Sequence, residues 1–569
     1  MTILKHILLS VSAITLASAA MAQCRIEGAG SDRRLTLNGE PFIILGGELG
    51  NSTASSAAEI EFQFPRLKAM GLNTVLAPAY WDLMEPEEGK FDFSQVDKVI
   101  ETARANDLKV VFLWFGAWKN SMSCYSPAWF KLDTKRFPRA HTSTGKAMEI
   151  ASCVSENVLH ADAAAFEKLV AHIAETDADH TVVMLQIENE IGMLESARDY
   201  SPDSEKLFQS AVPQALISYI KKNKKNLHPE FRSRWEANGA KLSGTWGEMF
   251  GTDVFADEIF QAYQYALYVG KLADVARKYV SIPLYVNAAM NSRGRRPGQY
   301  PAAGPLAHLI DLWRAGAPAL DFISPDIYDS GFEGWVDKYS VCGNALFIPE
   351  MRRDEDNGAQ AFFVFGQHKA LGVSPFSIEN NPDRTKLTKA YVTLAKMSPM
   401  LASHPDHRGL LFTSKEQETT WQEDGMNISA RHFFTLPWDP RATDGSRWPA
   451  AGAIVIRQGK YDYIVAGSGI VMNFTSLAER EAKAKEEQVA LGEDGFVLAV
   501  QTGKKAQTTT VDWSGVKRIG ILSVDVVEPQ ADGSLKVIKR LNGDEDHQGR
   551  HVRIGVDDFQ ILHVKLYQY

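Results

Sequence analysis

Short apolar runs alternate with helical patterns along the chain from Pro41 to Met397. Eight of these runs predict buried strands, at 42–49, 74–80, 109–115, 182–187, 283–290, 321–328, 345–351 and 373–380. Amphipathic helical patterns occur at 57–70, 95–105, 161–175, 204–222, 257–279 and 387–397. Because parallel neighbours need helical crossovers, eight strands separated by helices predict an α/β fold, a (β/α)8 TIM barrel.

The pattern changes near Gly409. Short β-branched runs punctuated by Gly, Asp and Asn follow, and the turns Ala-Asp-Gly-Ser (531–534) and Asn-Gly-Asp (542–544) predict hairpins. A charged stretch, 477–488, predicts a short exposed helix. We therefore expect three parts: a targeting segment at 1–22, a catalytic barrel at 23–400, and an all-β, sandwich-like domain at 401–569.

Composition and charge fit a globular protein of two or three domains. The 569 residues are 45% hydrophobic and 23% charged, with a net charge of −9. There is no Lys/Arg run with interleaved aromatic residues, which argues against nucleic acid as the main partner. The sequence also lacks His-Glu-x-x-His, paired Cys-x-x-Cys and phosphate-loop motifs, so we expect no cofactor and no metal.

The N-terminus predicts export. Lys5 and His6 precede an apolar run at 7–20 and the triplet Ala20-Met21-Ala22, so cleavage would leave Gln23 first. No other stretch has the length of a membrane span, so we expect a periplasmic or secreted protein without a membrane contact. In an oxidising compartment Cys124 and Cys153 could form a disulfide, and two separate thiols are an equal alternative.

Two predicted strands deliver a glutamate at their ends. VVMLQIENE ends on Glu188, Asn189 and Glu190, and FIPEM carries Glu350. The C-terminal ends of barrel strands converge on one face, where barrel enzymes place their chemistry. Glycoside hydrolysis needs one carboxyl group to protonate the leaving oxygen and a second to attack the anomeric carbon. We therefore predict Glu190 as acid/base and Glu350 as nucleophile, although capping or salt-bridged roles suit each glutamate alone.

Neighbouring polar groups extend this interpretation. Asn189 could bind a sugar hydroxyl, and Tyr328, at the end of the sixth strand, could donate to the nucleophile. Side-chain alternation would turn Glu188 toward the barrel wall. Arg352 and Arg353 could lower the pKa of the nucleophile or form surface pairs. Aromatic residues near strand ends suit either a sugar platform or core packing; these are Tyr80, Trp81, Trp114, Trp118 and Trp246.

Three segments resemble the retaining β-galactosidases of glycoside hydrolase family 35. QIENEIG (186–192) is similar to the acid/base motif, GLNTVLAPAYWDLMEPEEGKFDFS (71–94) to the second-strand signature, and FIPEM (347–351) to the nucleophile strand. The resemblance implies an exo-acting β-galactosidase with Glu190, Glu350 and a sugar-contacting Asn189. The C-terminal part resembles a β-rich domain of a bacterial subgroup linked to plant cell-wall polysaccharides, which suggests galactosylated substrates such as xyloglucan fragments.

The sequence departs from that family at the third strand. GAWKNSM (116–122) has Asn120 in place, but Met122 stands where the family has a glutamate that contacts galactose. Glu48 could supply the missing acceptor. The alternatives are therefore a β-D-fucosidase or α-L-arabinopyranosidase with the same mechanism, or a non-catalytic carbohydrate-binding protein. The sequence leaves a homodimer open.

Overall fold

The computed structural model describes residues 24–380, 385–404, 406–442, 446–485, 512–530 and 532–569. The predicted targeting segment at 1–22 lies outside them. All four cysteines lie within them, and each is a free thiol, so Cys124 and Cys153 are not joined. Among the described helices, none is long and apolar enough to cross a membrane.

The N-terminal part contains a small sheet, a barrel and a hairpin. The strands are β1 (Cys24–Glu27), β2 (Arg34–Leu37), β3 (Glu40–Phe42), β4 (Ile44–Glu48), β5 (Thr74–Tyr80), β6 (Lys109–Phe115), β7 (Arg139–His141), β8 (Ala147–Ala151), β9 (Val182–Gln186), β10 (Leu284–Ala289), β11 (Phe322–Ile327), β12 (Phe347–Met351) and β13 (Gly372–Pro375). Strands β4, β5, β6 and β9 to β13 form a closed parallel barrel. The predicted TIM barrel is confirmed.

Helices surround the barrel and fill its long connections. They are α1 (Ala57–Ala69), α2 (Trp81–Met84), α3 (Ser94–Ala105), α4 (Ala128–Leu132), α5 (Glu156–Thr176), α6 (Pro202–Phe208), α7 (Gln214–Asn223), α8 (Pro229–Ala237), α9 (Trp246–Phe250), α10 (Val254–Ala276), α11 (Ile310–Gly316), α12 (Phe332–Tyr339), α13 (Asn357–His368), α14 (Thr385–Ser403) and α15 (Leu477–Lys485). Capping side chains set several helix starts: Ser56, Ser155 and Asp253 each accept a bond from a backbone N–H.

One predicted helix is interrupted. The pattern at 204–222 predicted a single segment, but the structure has α6 and α7, with Pro213 directly before α7. Proline lacks the N–H that an uninterrupted helix would need at this position. The eighth strand is also shorter than predicted, because β13 ends at Pro375 and Glu379 lies in a short 3₁₀ turn.

The C-terminal part is a sandwich of two antiparallel sheets. Its strands are β14 (His407–Phe412), β15 (Glu418–Glu423), β16 (Met426–His432), β17 (Ala451–Gly459), β18 (Asp462–Ser468), β19 (Ile470–Ser476), β20 (Ile519–Pro529), β21 (Leu535–Leu541), β22 (Val552–Ile554) and β23 (Gln560–Gln568). In the part of the domain that the structure describes, six strands form one sheet and four the other, and their apolar faces share one core. The predicted β-rich domain is confirmed.

The two predicted hairpin turns differ. The first is correct, because β20 and β21 pair antiparallel. The second was wrong: after Asn542 the chain leaves the six-stranded sheet, and β22 pairs with β19 in the other sheet. The turn residues are present, but a 3₁₀ turn at Gly543–Glu545 carries the chain across.

Helix α13 joins the barrel to the sandwich. It packs on β14 and β17, and the contact is close enough to need glycine. A Cβ atom on Gly452 of β17 would lie 2.2 Å from the Ala359 carbonyl oxygen on α13. Asp356, just before α13, adds polar contacts, since its carboxylate accepts from the Ala450 N–H at 2.8 Å and from Arg447 at 3.0 Å.

Replacing Gly452 with valine should loosen this contact. We expect Gly452→Val to lower the free energy of unfolding by roughly 1–3 kcal/mol, because overpacking forces helix and sheet apart. Gly459→Ala is the control, since an added Cβ at the end of the same strand would meet Asp462 Cβ at an ordinary contact distance of 3.7 Å. Thermal unfolding of both variants checks this, and an unchanged midpoint for Gly452→Val would contradict the close packing.

Candidate active site

Four carboxyl groups from four barrel strands meet at the C-terminal face. They belong to Glu48 at the end of β4, Glu190 after β9, Asp326 in β11 and Glu350 in β12, and all four are buried. One carboxylate oxygen from each of Glu190, Asp326 and Glu350 lies within 4.8 Å of the others. The two predicted catalytic glutamates are therefore together. This spacing suits a direct attack by one carboxylate, as in retaining enzymes, rather than the wider gap that an attacking water needs.

The chain after β9 is held in a sparsely populated conformation. Glu188 and Glu190 have φ of 59° and 48°, in the left-handed region that costs energy for residues other than glycine. Asn287 of β10 accepts the Glu190 N–H at 2.9 Å and donates to Asp326 at 2.6 Å. Asn120 donates through its side chain to the Glu190 carboxylate. The acid/base candidate is thus fixed from two neighbouring strands.

Lys119 brings a buried positive charge into this cluster. Its side chain follows β6, is 3% exposed, and donates to Asn189 Oδ1 at 2.8 Å. Because an ammonium group only donates, the amide oxygen of Asn189 must face Lys119 and Nδ2 must face away. Within the described residues, that buried Nδ2 has no acceptor. Lys119 therefore orients Asn189 as a donor toward a ligand hydroxyl.

The charge of Lys119 also affects whether the cluster could bind a metal ion. Three carboxylates this close are a donor set that could ligate a cation. Lys119 lies close enough to Glu48, Glu190, Asp326 and Glu350 for each of them to raise its pKa. A divalent cation would be repelled by this ammonium, so the cluster fits a metal poorly.

Burial and mutual repulsion set the protonation of the carboxyl groups. Burial, followed by the charge of Glu350, raises the pKa of Glu190 to about 7, and Lys119 opposes this rise. The same two causes raise the pKa of Glu48 and of Asp326 well above the usual range, which favours their protonated forms. With a pKa of about 7, Glu190 is poised to give and take a proton near neutral pH.

Tyr328 contacts the predicted nucleophile, whereas Arg352 and Arg353 bind backbone carbonyls. The Tyr328 hydroxyl donates to Glu350 Oε1, and burial followed by the charge of Glu350 raises its pKa, so it stays a donor. Arg352 donates to the Tyr328 carbonyl at 2.6 Å, and Arg353 donates to the Ser377 carbonyl. Within the described residues neither guanidinium forms an ion pair with Glu350, so the predicted role of tuning the nucleophile is not supported.

Glu188 points away from the cluster, as predicted. Its Oε2 accepts from the Trp118 N–H at 2.8 Å, and burial with the charge of Asp162 raises its pKa well above the usual range. Asp162 on α5 accepts from Trp114 at 2.8 Å and from Tyr268 at 2.6 Å. The pair of Glu188 and Asp162 thus supports the chain at the end of β9 from the side of α5.

The aromatic candidates do not form a sugar platform. Trp246 is 1% exposed and packs against Phe250, Phe260 and Tyr263, so the predicted substrate contact is corrected to core packing. The other candidate tryptophans are equally buried; they are Trp81, Trp114 and Trp118. Tyr80 ends β5 and is also buried, with its ring against Phe115 and Tyr125.

Met122, at the departure from the family 35 pattern, is partly exposed. The residue is 40% exposed, and its backbone closes a turn with Lys119. Glu48 belongs to the carboxyl cluster and lies close to Glu350. The structure thus brings together the predicted Glu48, Asn120, Asn189, Glu190, Tyr328 and Glu350.

Sequence reasoning missed two residues of the cluster. Lys119 comes directly after the apolar strand β6 and the buried residues Gly116-Ala117-Trp118. A single cationic residue in such an apolar stretch indicates a buried partner for its charge. Asp326 lies in β11, two residues before Tyr328, which directly follows the strand, so alternation predicts both on one face. An acidic residue inside an apolar strand was the available signal.

Comparison with known proteins gives one functional match. The glycoside hydrolase 42 family model, described as beta-galactosidase, matches residues 53–247. That segment contains β5, β6, Lys119 and Glu190, and it ends before Glu350. A domain of unknown function, DUF5597, matches residues 387–553 in the sandwich. No curated protein matches the chain.

Several solved β-galactosidases resemble the chain at low identity. The enzyme from the psychrophilic Marinomonas ef1 is 13% identical with a TM-score of 0.45, over 63% of this chain and 61% of that one. The enzyme from Bacillus circulans sp. alkalophilus is 13% identical with a TM-score of 0.44, over 64% and 57%. The enzyme from Halorubrum lacusprofundi is 17% identical with a TM-score of 0.42, over 62% and 58%. The chain spans about three fifths of each relative.

The resemblance to family 35 is therefore corrected. The matching model is that of family 42, and family 35 is not supported. The motifs behind the resemblance are strand ends of a barrel that carry Glu190 and Glu350. Such motifs report the reaction chemistry, which both β-galactosidase assignments share, more than they report the family.

Removing the charge of Lys119 should move the pH profile. In Lys119→Met the ammonium no longer favours the ionised form of Glu190, so the pKa of Glu190 rises and the basic limb of kcat/KM shifts to higher pH. We also expect kcat/KM at the optimum to fall roughly 10- to 100-fold, because Asn189 loses its fixed orientation.

The pH dependence of aryl galactoside hydrolysis measures both effects. Lys146→Met, at an exposed lysine paired with Glu195, is the control and should leave the profile unchanged. A basic limb that stays in place in Lys119→Met would contradict the electrostatic role of the lysine.

Proposed function

We propose that the chain is a retaining, exo-acting glycoside hydrolase that releases terminal β-D-galactosyl residues. The observation that carries the proposal is the pairing of Glu190 and Glu350, whose carboxylate oxygens lie within 4.8 Å in a buried cluster. The family 42 match over residues 53–247 supports a β-galactosidase-type enzyme. The substrate is then a β-galactoside, and plant cell-wall glycans such as xyloglucan fragments stay a proposal from the sequence.

The reaction proceeds in two displacements. Glu350 attacks the anomeric carbon while Glu190 gives its proton to the leaving oxygen, and a glycosyl ester forms on Glu350. Glu190, now ionised, removes a proton from water, which attacks the same carbon and releases Glu350. Two inversions give net retention. The pKa of Glu190 near 7 lets one group serve as acid and then as base.

The surrounding donors select and hold the sugar. Asn189 Nδ2 is buried and has no acceptor among the described residues, which suits a hydrogen bond to a ring hydroxyl that strengthens in the transition state. The Tyr328 hydroxyl steadies Glu350. The raised pKa of Glu48 favours its protonated form, which can both donate to and accept from a hydroxyl.

The identity of the sugar is the open part of the proposal. Met122 stands where the family 35 resemblance implied an acidic sugar contact, and it is 40% exposed. Glu48 is the candidate substitute. A β-D-fucosidase or an α-L-arabinopyranosidase would use the same glutamates. A panel of aryl glycosides of the three sugars distinguishes them by kcat/KM.

Export and assembly also stay proposals. Residues 1–22 have the pattern of a cleaved leader, which predicts a periplasmic or secreted enzyme whose mature N-terminus reads from Gln23. N-terminal sequencing of the protein recovered outside the cytoplasm tests this. A homodimer is tested by the mass in solution.

Azide should separate the two glutamates by the product it forms. In Glu190→Ala we expect kcat to fall roughly 10²–10⁴-fold, with partial rescue by azide that yields the β-galactosyl azide, because azide replaces the second-step water. In Glu350→Ala azide replaces the nucleophile and should yield the α-galactosyl azide.

Proton NMR of the product reports which anomer forms. Glu236→Ala, at an exposed glutamate on α8, is the control and should keep full activity. Full activity of either active-site variant without azide would overturn the assignment. Saccharide binding without turnover by the unmodified protein would favour the carbohydrate-binding alternative.

A further inference from the structure

A pocket of about 1030 Å³ lies between the barrel and the sandwich, and we name it the interdomain pocket. One wall consists of barrel loops, Tyr328–Glu333 after β11 and Arg352–Asp356 after β12, with Gln360 on α13. The other wall belongs to the sandwich and is formed by Leu411, Thr413, Gln417, Arg447 and Trp448. Its size is at the upper end of the range for ligand sites.

The interdomain pocket shares one residue with the catalytic cluster. Tyr328 lines the pocket, and its hydroxyl donates to Glu350. Both barrel loops follow strands that carry cluster residues, Asp326 on β11 and Glu350 on β12, so the pocket lies on the catalytic face. A molecule bound at the cluster could therefore extend past Tyr328 into the pocket.

The difference in burial between the carboxyl cluster and the interdomain pocket indicates how a substrate would be oriented. Glu48 and Asp326, at 1% and 2% exposure, lie deep in the barrel, whereas Thr413 and Arg447 are exposed at the outer wall. In an exo-acting enzyme the terminal sugar occupies the deep end. The leaving group then extends outward, toward the interdomain pocket.

The two walls are held at a fixed distance. Asp356 of the barrel accepts from the Ala450 N–H and from Arg447, both in the sandwich. Arg352 is fixed against the Tyr328 carbonyl. The pocket is thus formed in the folded chain and needs both domains.

We propose that the interdomain pocket binds the leaving-group part of a neutral oligosaccharide, so that the sandwich takes part in substrate selection. This inference rests on the proposed glycosidase function. It gives the region that matches a domain of unknown function a role in recognition.

The charges of the lining favour a neutral ligand. Three arginines line the pocket, at 352, 353 and 447, together with five acidic residues, at 329, 333, 354, 355 and 356. The acidic groups outnumber the arginines, which disfavours a glycan rich in uronic acids. The many polar side chains suit hydroxyl groups.

The test fills the pocket from the sandwich side. Thr413→Trp places a large ring at its outer wall, and Thr420→Trp places the same ring at an exposed threonine of β15 outside the pocket. Full-length protein is assayed on p-nitrophenyl β-galactoside and on β-1,4-galactotetraose. We expect Thr413→Trp to lower the tetraose-to-aryl ratio of kcat/KM about tenfold or more. Thr420→Trp should leave the ratio unchanged, and thermal unfolding checks that both variants fold.

The outcomes separate the two proposals. An unmodified protein without activity on either galactoside would overturn the proposed function, and this inference with it. An active protein whose ratio is the same in Thr413→Trp and Thr420→Trp would overturn the interdomain pocket alone. Arg447→Ala provides a second variant, and a lower ratio there would support the pocket even if Thr413→Trp failed to fold.

Discussion

The repulsion among buried carboxyl groups is the constraint on which this site depends. Four of them lie at or near the C-terminal ends of barrel strands, and Lys119 interacts electrostatically with all four. Charges this close in a region of low dielectric constant cannot all ionise. The cluster therefore raises the pKa of Glu48 and of Asp326, which favours their protonated forms, and brings Glu190 to a pKa of about 7. The assignment of acid and nucleophile follows from this division.

The geometry that creates the repulsion is costly and is supported from outside. The left-handed backbone at Glu188 and Glu190 is held by Asn287, by the loop at Lys119 and by the buried pair of Glu188 with Asp162. Each support comes from a different strand or helix of the barrel. A strained turn is stable only where the surrounding fold determines it, which explains why a fully packed barrel is needed.

Much of the fold and the main catalytic pair could be predicted from sequence, because both depend on local patterns. The apolar runs at Thr74–Tyr80 and Lys109–Phe115 coincide with β5 and β6, and Glu190 and Glu350 stand at strand ends. The contacts of Lys119 and Asp326 and the packing of Trp246 depend on what comes near in three dimensions. For Lys119 and Asp326, the sequence showed only a charged residue in an apolar stretch and not its partners. The motifs also could not identify the family, because residues at strand ends indicate a reaction chemistry that different families share. The proximity of the sandwich to the active site could not be predicted either, because only the folded chain brings Thr413 and Arg447 to the catalytic face.

Covalent trapping of the nucleophile tests the central claim most directly. The enzyme is incubated with an activated 2-deoxy-2-fluoro-β-galactoside, whose fluorine slows the second displacement, and the labelled peptide is then mapped by mass spectrometry. We expect one fluorogalactosyl group per chain, attached to Glu350, with label retained in Glu190→Ala. A label on Glu48, Glu190 or Asp326, or an active enzyme that forms no covalent adduct, would contradict it.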